Sequence, residues 1–136
     1  MAGKTFTLEI VTPKKVVFKG DVESFTAPGV EGSFQVLFNH APLLAATGVG
    51  EIKVRGAEGA DHYFATTEGF VEVNHNKVVM LADTAEAISE IDLTRAERAE
   101  MRARERLAKR DPDTDIDRAR VSLQRAMNRI RLARKD

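Results

Sequence analysis

The first half of the chain consists of short runs in which apolar and polar residues alternate. In Thr5–Thr12 the side chains of Phe6, Leu8 and Ile10 share one face, and mostly polar residues occupy the other. A period of two is typical of a half-buried β-strand. The further runs are Val16–Lys19, Val22–Ala27, Ser33–Phe38, Leu43–Thr47, Glu51–Arg55, His62–Thr67, Phe70–Asn74 and Lys77–Ala82. Because no helical segments intervene, they predict an antiparallel β-sandwich of about nine or ten strands.

Turn-forming residues separate these runs. Gly20-Asp21 predicts a hairpin turn between two short strands. Pro28–Gly32 and Asn39–Pro42 predict loops, and asparagine at the first position of the second loop tolerates a positive φ. Glycine and proline therefore fall between strands, where conformational freedom or a missing N–H is tolerated.

The period changes from two to a helical spacing at Asp83. Ala85, Ala87 and Ile88 predict a short helical connector. The two halves that result predict a β-sandwich over residues 1–86 and an α-helical hairpin over residues 87–136.

The final segment predicts two antiparallel helices. The first spans Leu93–Arg110, starts at Asp92 as N-cap and ends before Pro112. Thr114 or Asp115 is expected to cap the second. The predicted apolar stripes are Ala96, Ala99, Ala103 and Leu107 on the first helix, and Ile116, Ala119, Leu123, Ala126, Met127 and Ile130 on the second. Alanine-rich stripes bury little surface, so the hairpin is expected to be marginally stable and able to change conformation.

Charge divides the chain in the same way. Ile91–Asp136 carries 14 of the 21 Lys and Arg but 9 of the 21 Asp and Glu, a net charge of +5 that residues 1–90 balance with −5. All eight aromatic residues lie within the first 70 positions. An aromatic-cored, mildly acidic module is therefore followed by a basic helical arm.

Composition restricts the classes of function. The chain has no cysteine, which excludes disulfides, thiol nucleophiles and cysteine metal sites. No apolar run approaches the roughly 20 residues of a transmembrane helix, and Met1–Thr5 lacks the apolar stretch of a signal peptide. A cytoplasmic, soluble chain is expected, which would meet a membrane only through a complex.

Catalytic and metal-binding patterns are not evident in the sequence. His40, His62 and His75 lie in or beside loops without metal-ligand spacing, so solvated or loop-packing histidines are expected. The glycines do not form a phosphate-binding loop, and the serines lack a nucleophile context. We expect no catalytic residue, no metal and no required cofactor.

Four arginines carry the clearest candidate chemistry. Arg95 and Arg102 are seven positions apart on the first helix, and Arg125 and Arg129 are four apart on the second. If the chain folds back near Pro112, Arg102 is level with about position 124 and Arg95 with about position 131. All four then gather along one portion of the hairpin and flank its alanine stripe.

Clustered guanidiniums require anions. Spacing alone leaves two suppliers open: protein carboxylates, favoured by default, or a bound phosphate. The candidate carboxylates are Glu86, Asp92, Glu97 and Glu100. Basic helices also suggest nucleic-acid binding, but acidic residues are interleaved along the arm and it has no aromatic residue for base stacking.

A recognisable segment lies in the middle of the first half. Positions 28–44 read PGVEGSFQVLFNHAPLL, which closely resembles the signature PGxxGEFGILPGHAPLL of the epsilon subunit of bacterial and chloroplast F-type ATP synthases. The resemblance extends over the whole chain. It departs at Gln35, Phe38 and Asn39, where the family often has Gly, Pro and Gly, and these changes affect only loop detail.

The resemblance implies a non-catalytic rotor subunit of a proton-translocating ATP synthase. In the family the sandwich docks on the gamma subunit and the c-ring, and the hairpin regulates turnover. An extended hairpin inhibits ATP hydrolysis and presents its basic side chains to the catalytic beta subunits. The implied location is peripheral, on the cytoplasmic face of the bacterial plasma membrane, without nucleic acid as a partner.

Some family members bind ATP in the folded hairpin through a motif similar to [IL]DxxRA, which matches Ile91–Ala96 here. The resemblance implies ATP as a regulatory ligand. The matching nucleotide-binding positions are Glu86, Asp92, Arg95, Arg102, Arg125 and Arg129. The alternative interpretation is a β-sandwich interaction module whose basic arm binds nucleic acid or another acidic partner.

Overall fold

The computed structural model describes residues 4–109 and 111–135. It divides into two compact units whose boundary lies between Ala87 and Ile88. The first unit is built from β-strands and the second from helices, so the predicted fold class is confirmed. None of the described helices is long and apolar enough to cross a bilayer.

Nine strands make up the first unit. They are β1 (Phe6–Val11), β2 (Val16–Gly29), β3 (Gly32–Val36), β4 (Leu43–Thr47), β5 (Gly50–Gly56), β6 (Asp61–Thr66), β7 (Gly69–Asn74), β8 (Lys77–Ala82) and β9 (Ala85–Ala87). They are hydrogen-bonded in the order β1-β8-β7-β4-β2-β5-β6-β9, and β3 pairs with β2. An additional β1–β2 pairing closes the path on itself. Of the pairings between described strands, β1–β8 is parallel and the others are antiparallel.

The prediction of a hairpin turn at Gly20-Asp21 is wrong. These residues lie inside the 14-residue strand β2, where Gly20 pairs with Leu8 and Asp21 with Thr7. The first half of β2 pairs with β1 and the second half with β3 and β5. Two different sets of neighbours therefore keep one strand extended through a sequence that is typical of a turn.

The predicted helical connector is also partly wrong. Ala85–Ala87 forms β9, which pairs with β6 through Thr66↔Ala85, Ala65↔Glu86 and Phe64↔Ala87. A short 3₁₀ helix follows only at Ile88–Glu90. Backbone hydrogen bonds with β6 determine the conformation of this segment, because Ala85, Glu86 and Ala87 have little intrinsic preference for a β-strand.

Alternation along the strands places the core. Phe6, Leu8 and Ile10 of β1 are all buried, as the period of two predicts. The largest fully buried side chain is that of Phe25, in the second half of β2. The other inward positions are contributed mainly by valine and isoleucine of β2, β3, β5, β7 and β8.

Two loops have the turn geometry that their residues favour. Val30 and Glu31 connect β2 to β3 as a two-residue turn, so the predicted Pro28–Gly32 loop is shorter than expected. Asn39 has a φ of 61°, as expected for the start of the second loop.

The second unit contains α1 (Leu93–Lys109) and α2 (Ile116–Arg134). The carboxylate of Asp92 accepts a hydrogen bond from the Arg95 N–H at 3.0 Å, which confirms the predicted N-cap. Asp115, rather than Thr114, caps α2 by accepting from the Arg118 N–H at 3.0 Å. The predicted last residue of the first helix, Arg110, lies outside the described residues.

Buried alanines mark the seam between α1 and α2. Ala96 and Ala103 are buried on α1, and Ala119, Ala126 and Ile130 are buried on α2, in agreement with the predicted stripes. The prediction fails at Met127, whose side chain is 45% exposed. It also misses Asn128 and Leu132, which are buried on a second side of α2 about 140–180° away from the seam.

Candidate functional site

Two side-chain contacts connect the helices. The Glu97 carboxylate accepts a hydrogen bond from Arg134 Nη2 at 2.8 Å, and Arg104 Nη2 lies 3.9 Å from the sulfur of Met127. Moving seven residues forward on α1 thus corresponds to moving seven residues back on α2. The contacts confirm that the hairpin is antiparallel.

Both contacts lie on the same flank of the hairpin. Glu97 directly follows the seam residue Ala96, and Arg104 directly follows Ala103. Met127 similarly follows Ala126 on the other helix. One residue corresponds to a rotation of about 100° around a helix axis. On two antiparallel helices that face each other, the residues immediately after the seam consequently share one flank.

The four predicted arginines occupy the opposite flank. Arg95 precedes Ala96, Arg102 precedes Ala103, Arg125 precedes Ala126 and Arg129 precedes Ile130. The rotation that places residues after the seam on one flank places the residues before it on the other. We refer to Arg95, Arg102, Arg125 and Arg129 as the arginine face.

The arginine face extends over about 16 Å of the hairpin axis, because the two contacts between the helices place Arg125 level with position 106. On α1, Arg102 lies between Glu97 and Arg104 in the sequence. On α2, Arg129 lies between Met127, which contacts Arg104, and Arg134, which contacts Glu97. Arg95 and Arg125 each lie two positions outside the segment that these contacts delimit. At about 1.5 Å per residue, Arg95 and Arg102 are about 10 Å apart along their helix.

Burial differs between the two helices. Arg95 and Arg102 are exposed, whereas Arg125 and Arg129 are half-buried. The Nε atom of Arg125 is shielded from solvent. These two residues lie between the seam and the second buried side of α2, which contains Asn128 and Leu132. Charge at a partly buried position is screened less by salt and water, so an anion would interact more strongly there.

Two of the candidate carboxylates lie away from the arginine face. Glu97 pairs with Arg134 at 2.8 Å, and Glu100 pairs with Arg104 at 3.2 Å, both involving the residues of the opposite flank. Asp92 lies at the start of α1, where it caps the helix beside Arg95. Hairpin packing therefore places Glu97 and Glu100 on the flank opposite the arginine face, although both are candidate partners for its guanidiniums.

Glu86 differs from the other predicted site residues in its location. It is half-buried on β9, where it pairs through its backbone with Ala65, and it belongs to the first compact unit. Asp92 and the arginine face belong to the second unit. The hairpin itself thus assembles five of the six predicted residues.

Two further arginines on the same flank were not predicted. Arg106 directly precedes Leu107 of the predicted stripe, and Arg118 directly precedes the buried Ala119. Both side chains are exposed. Both could have been identified from the sequence, because each directly precedes a residue of the apolar stripe, as the four predicted arginines do.

Comparison with protein families identifies both units. Residues 5–88 match the model of the ATP synthase delta/epsilon chain beta-sandwich domain, and residues 89–134 match that of the delta/epsilon chain long alpha-helix domain. The chain belongs to the ATP synthase epsilon chain family. It is accordingly a central-stalk subunit of an F-type ATP synthase, and the resemblance seen in the sequence is confirmed.

Curated epsilon chains are similar over nearly the whole length. The epsilon chain of Syntrophomonas wolfei is 42% identical over 135 residues, covering 99% of this chain and 98% of the relative. That of Pelotomaculum thermopropionicum is 49% identical over 110 residues, or 81% of each chain. A relative from Propionigenium modestum described as sodium ion specific is 41% identical, covering 95% of this chain and 93% of its own.

Solved structures share the epsilon fold at low sequence identity. A chain in the Euglena gracilis mitochondrial ATP synthase, solved as OSCP/F1/c-ring, has a TM-score of 0.80 at 20% identity and covers 94% of this chain and 81% of its own. A chain in the Tetrahymena thermophila mitochondrial ATP synthase central stalk/c-ring has a TM-score of 0.63 at 18% identity, covering 98% and 96%. These matches agree with the two-part architecture.

Two of the three histidines of this epsilon-family chain, His40 and His62, have local partners. His40 Nδ1 donates to the Ala41 carbonyl at 2.6 Å, and the His62 ring packs against Phe18 with centroids 5.5 Å apart. Within residues 4–109 and 111–135, no group of three or more His, Cys, Asp or Glu side chains could hold a metal ion.

Proposed function

We propose that this epsilon chain is a non-catalytic regulator whose hairpin binds ATP when folded and inhibits ATP hydrolysis when extended. The observation that carries the ATP proposal is the arginine face, where four guanidiniums share one flank while Glu97 and Glu100 pair on the other. ATP would act as a regulatory ligand, not as a substrate or a required cofactor.

The residue types suit a nucleoside triphosphate. Guanidiniums form strong, often bidentate hydrogen bonds with phosphate oxygens, which gives the four arginines their proposed role. The carboxylate of Asp92 is an acceptor only, so it would not bind phosphate. We assign it to the hydroxyl or amino groups of the nucleoside.

Bound ATP would stabilise the folded hairpin by mass action. A ligand that binds only the folded state adds RT ln(1 + [L]/Kd), about 2.7 kcal/mol when its concentration is 100 times Kd. The hairpin seam is formed largely by alanine side chains, which bury little apolar area. A contribution of that size is therefore sufficient to shift the conformation of this arm.

Isothermal titration of the isolated chain tests ATP binding. We expect saturable binding that Arg102→Gln weakens about 10-fold or more, since hydrogen bonds to charged groups are the stronger class. Arg104→Gln is the matched control, because Arg104 is exposed on the same helix and lies on the opposite flank. Equal weakening by both variants, or no binding of ATP by a folded chain, would overturn this part of the proposal.

Inorganic tripolyphosphate separates nucleotide recognition from simple charge attraction. If the nucleoside is recognised, ATP binds more tightly than tripolyphosphate and Asp92→Asn reduces that difference. Equal affinities with a steep salt dependence would indicate only a polyanion-binding surface.

We also propose that the sandwich contacts the gamma subunit and the c-ring. Support comes from an apolar row on its outer surface, where Ala46 pairs with Phe70, Phe70 with Leu81 and Leu81 with Val11 across four strands. Phe70 and Leu81 are more than half exposed, and the row borders a cavity of about 630 Å³. Exposed apolar patches of this kind commonly mark interaction sites.

Co-purification with the gamma subunit tests the docking surface. Phe70→Glu should abolish or strongly weaken complex formation, whereas Tyr63→Glu, at an exposed position on β6 outside the row, should not. Equal retention of both variants would argue against the apolar row as the docking surface. Circular dichroism of each variant verifies that the fold is retained.

Inhibition is the proposed function of the extended hairpin, whose basic side chains would meet the catalytic beta subunits. Deleting Ile91–Asp136 should raise ATP hydrolysis by the assembled complex. An unchanged rate would count against inhibition while leaving the stalk role intact. We place the chain on the cytoplasmic face of the bacterial plasma membrane, attached through the complex, and we propose protons as the coupling ion.

A further inference from the structure

Two asparagines that are 37 positions apart form a reciprocal pair in the sandwich. Asn76 Oδ1 accepts a hydrogen bond from the Asn39 backbone N–H at 2.7 Å, and Asn76 Nδ2 donates to Asn39 Oδ1 at 2.8 Å. Asn39 lies in the β3–β4 loop, and Asn76 lies in the two-residue β7–β8 turn. The pair thus joins two turns that are distant in sequence.

Both partners have a conformation that few side chains tolerate. Asn39 and Asn76 have φ values of 61° and 60°, in the left-handed region that asparagine adopts more readily than most residues. Glycine would satisfy this backbone requirement at either position but could not form the amide pair. The presence of asparagine at both positions therefore adds a cross-link that the backbone alone does not require.

The β3–β4 loop carries unusual exposed side chains. Leu37 is 51% exposed and Phe38 is 39% exposed, directly before Asn39. Within the loop, the His40 N–H donates to the Leu37 carbonyl at 3.2 Å, and His40 Nδ1 donates to the Ala41 carbonyl. Internal hydrogen bonds and the asparagine pair together hold the loop from two sides.

The opposite end of the pair is firmly attached to the sheet. The Asn76 carbonyl accepts a hydrogen bond from the Thr7 N–H at 3.0 Å, next to the start of β1. The side chain of Asn76 therefore binds the loop, while the backbone carbonyl of Asn76 binds the chain next to the start of β1. Through these hydrogen bonds the sheet restrains a loop that has no regular secondary structure of its own.

We propose that the Asn39–Asn76 pair is a clasp that holds the β3–β4 loop in one conformation and keeps Leu37 and Phe38 displayed at the surface. A loop ordered in advance loses less conformational entropy when a partner binds it. This role is independent of ATP binding and of the regulatory function proposed for the hairpin.

Hydrogen exchange of the intact chain tests the clasp. Asn76→Gly keeps the left-handed backbone and removes both hydrogen bonds of the pair, whereas Asn39→Gly removes only the side-chain one, because the residue 39 backbone N–H can still donate to Asn76 Oδ1. Asn76→Gly should accelerate exchange of the residue 40 amide about 10-fold and Asn39→Gly should accelerate it less, while the Thr7 amide stays protected. That reporter is informative because the His40 N–H bonds to Leu37 and not to the clasp. His75→Gly is the matched control, since His75 also has a positive φ but does not take part in the pair.

The double variant makes the test specific. If the two asparagines act through one another, Asn39→Gly combined with Asn76→Gly accelerates exchange no more than Asn76→Gly alone. Additive effects would overturn the clasp, as would unchanged exchange at residue 40 in both single variants. Loss of protection at Thr7 would also contradict the proposal, because it would show general loosening of the sheet.

Discussion

Arg134, in the last turn of α2, donates a hydrogen bond to the carboxylate of Glu97, in the first turns of α1, at 2.8 Å. The pair connects residues 37 positions apart and lies opposite the arginine face. It joins the end of the hairpin to its beginning. One flank of the hairpin thus contains the Glu97–Arg134 pair, and the other contains the arginine face.

Removing this pair should loosen the hairpin only modestly. The side chains of Arg134 and Glu97 are 59% and 45% exposed, so solvent weakens their interaction. Glu97→Gln should cost about 0.2–1 kcal/mol of hairpin stability, measured by thermal loss of helical circular dichroism. Arg120→Gln is the control, because Arg120 and Asp117 are 4.0 Å apart within one helix. A double-mutant cycle with Arg134→Gln gives the coupling, and a coupling of zero would contradict the contact.

Enlarging a seam alanine should disrupt the hairpin much more. Ala103 is 1% exposed between the helices, and a leucine there has no space without displacing α2. Ala103→Leu should lower stability by about 1–3 kcal/mol, measured by urea unfolding followed at helical wavelengths. Ala108→Leu makes the same change at an exposed position of α1 and should be nearly neutral. Similar effects of both changes would show that the alanine stripe is not the seam.

Asp92 offers a way to separate helix capping from ligand binding. Asparagine caps helices as well as aspartate does, whereas alanine at an N-cap costs about 0.5–2 kcal/mol. Asp92→Asn should therefore keep the thermal stability of the hairpin, and Asp92→Ala should lower it. ATP affinity measured by titration should fall in both variants. If Asp92→Asn binds ATP as well as the parent chain does, Asp92 acts only as a cap.

Local patterns predicted most of the fold. The period-two alternation identified β1 and its buried face, and Asp92 correctly marked the start of α1. These features depend on interactions between near neighbours in the sequence. Gly20 and Ala85 failed as predictors because distant strands, β1 and β6, supply their hydrogen-bond partners.

In the candidate site, too, features that depend on near neighbours in the sequence were predicted, and features that depend on distant partners were not. The spacing of the four arginines and their relation to the alanine stripe were readable from helical periodicity. The pairing of Glu97 with Arg134 was not, because it depends on how two helices meet. Leu132 was missed for a related reason: one helix wheel with a single apolar stripe does not indicate that α2 is buried on two sides.

Replacing Gly20 by alanine tests the strand assignment of β2, and the same change at Gly69 of β7 provides a contrast. A Cβ at Gly69 would clash with the Leu81 carbonyl oxygen, whereas one at Gly20 would meet only Phe18 ring atoms at 3.8 Å. Gly69→Ala should destabilise the sandwich by at least about 1–3 kcal/mol in chemical unfolding. Gly20→Ala should be neutral or stabilising by about 0.4–1 kcal/mol, because its backbone is extended. Strong destabilisation by Gly20→Ala would instead support a turn at this position.

Asp61 should contribute to the acid sensitivity of the β5–β6 hairpin. A hydrogen bond from Arg55 at 3.0 Å, assisted by the positive charge of Arg55, lowers the pKa of the Asp61 carboxyl from its ordinary value of 3.8, against a smaller opposing effect of desolvation. Because the pKa is depressed in the folded state, the stabilisation is complete above 3.8 and is lost as the pH falls through the folded value below it. Side-chain NMR titration should give an Asp61 midpoint below 3.8 that Arg55→Gln returns towards 3.8. Lys53→Gln, on the same strand, should shift it less, and equal shifts in the two variants would show that general positive charge, not the Arg55 hydrogen bond, sets the pKa of Asp61.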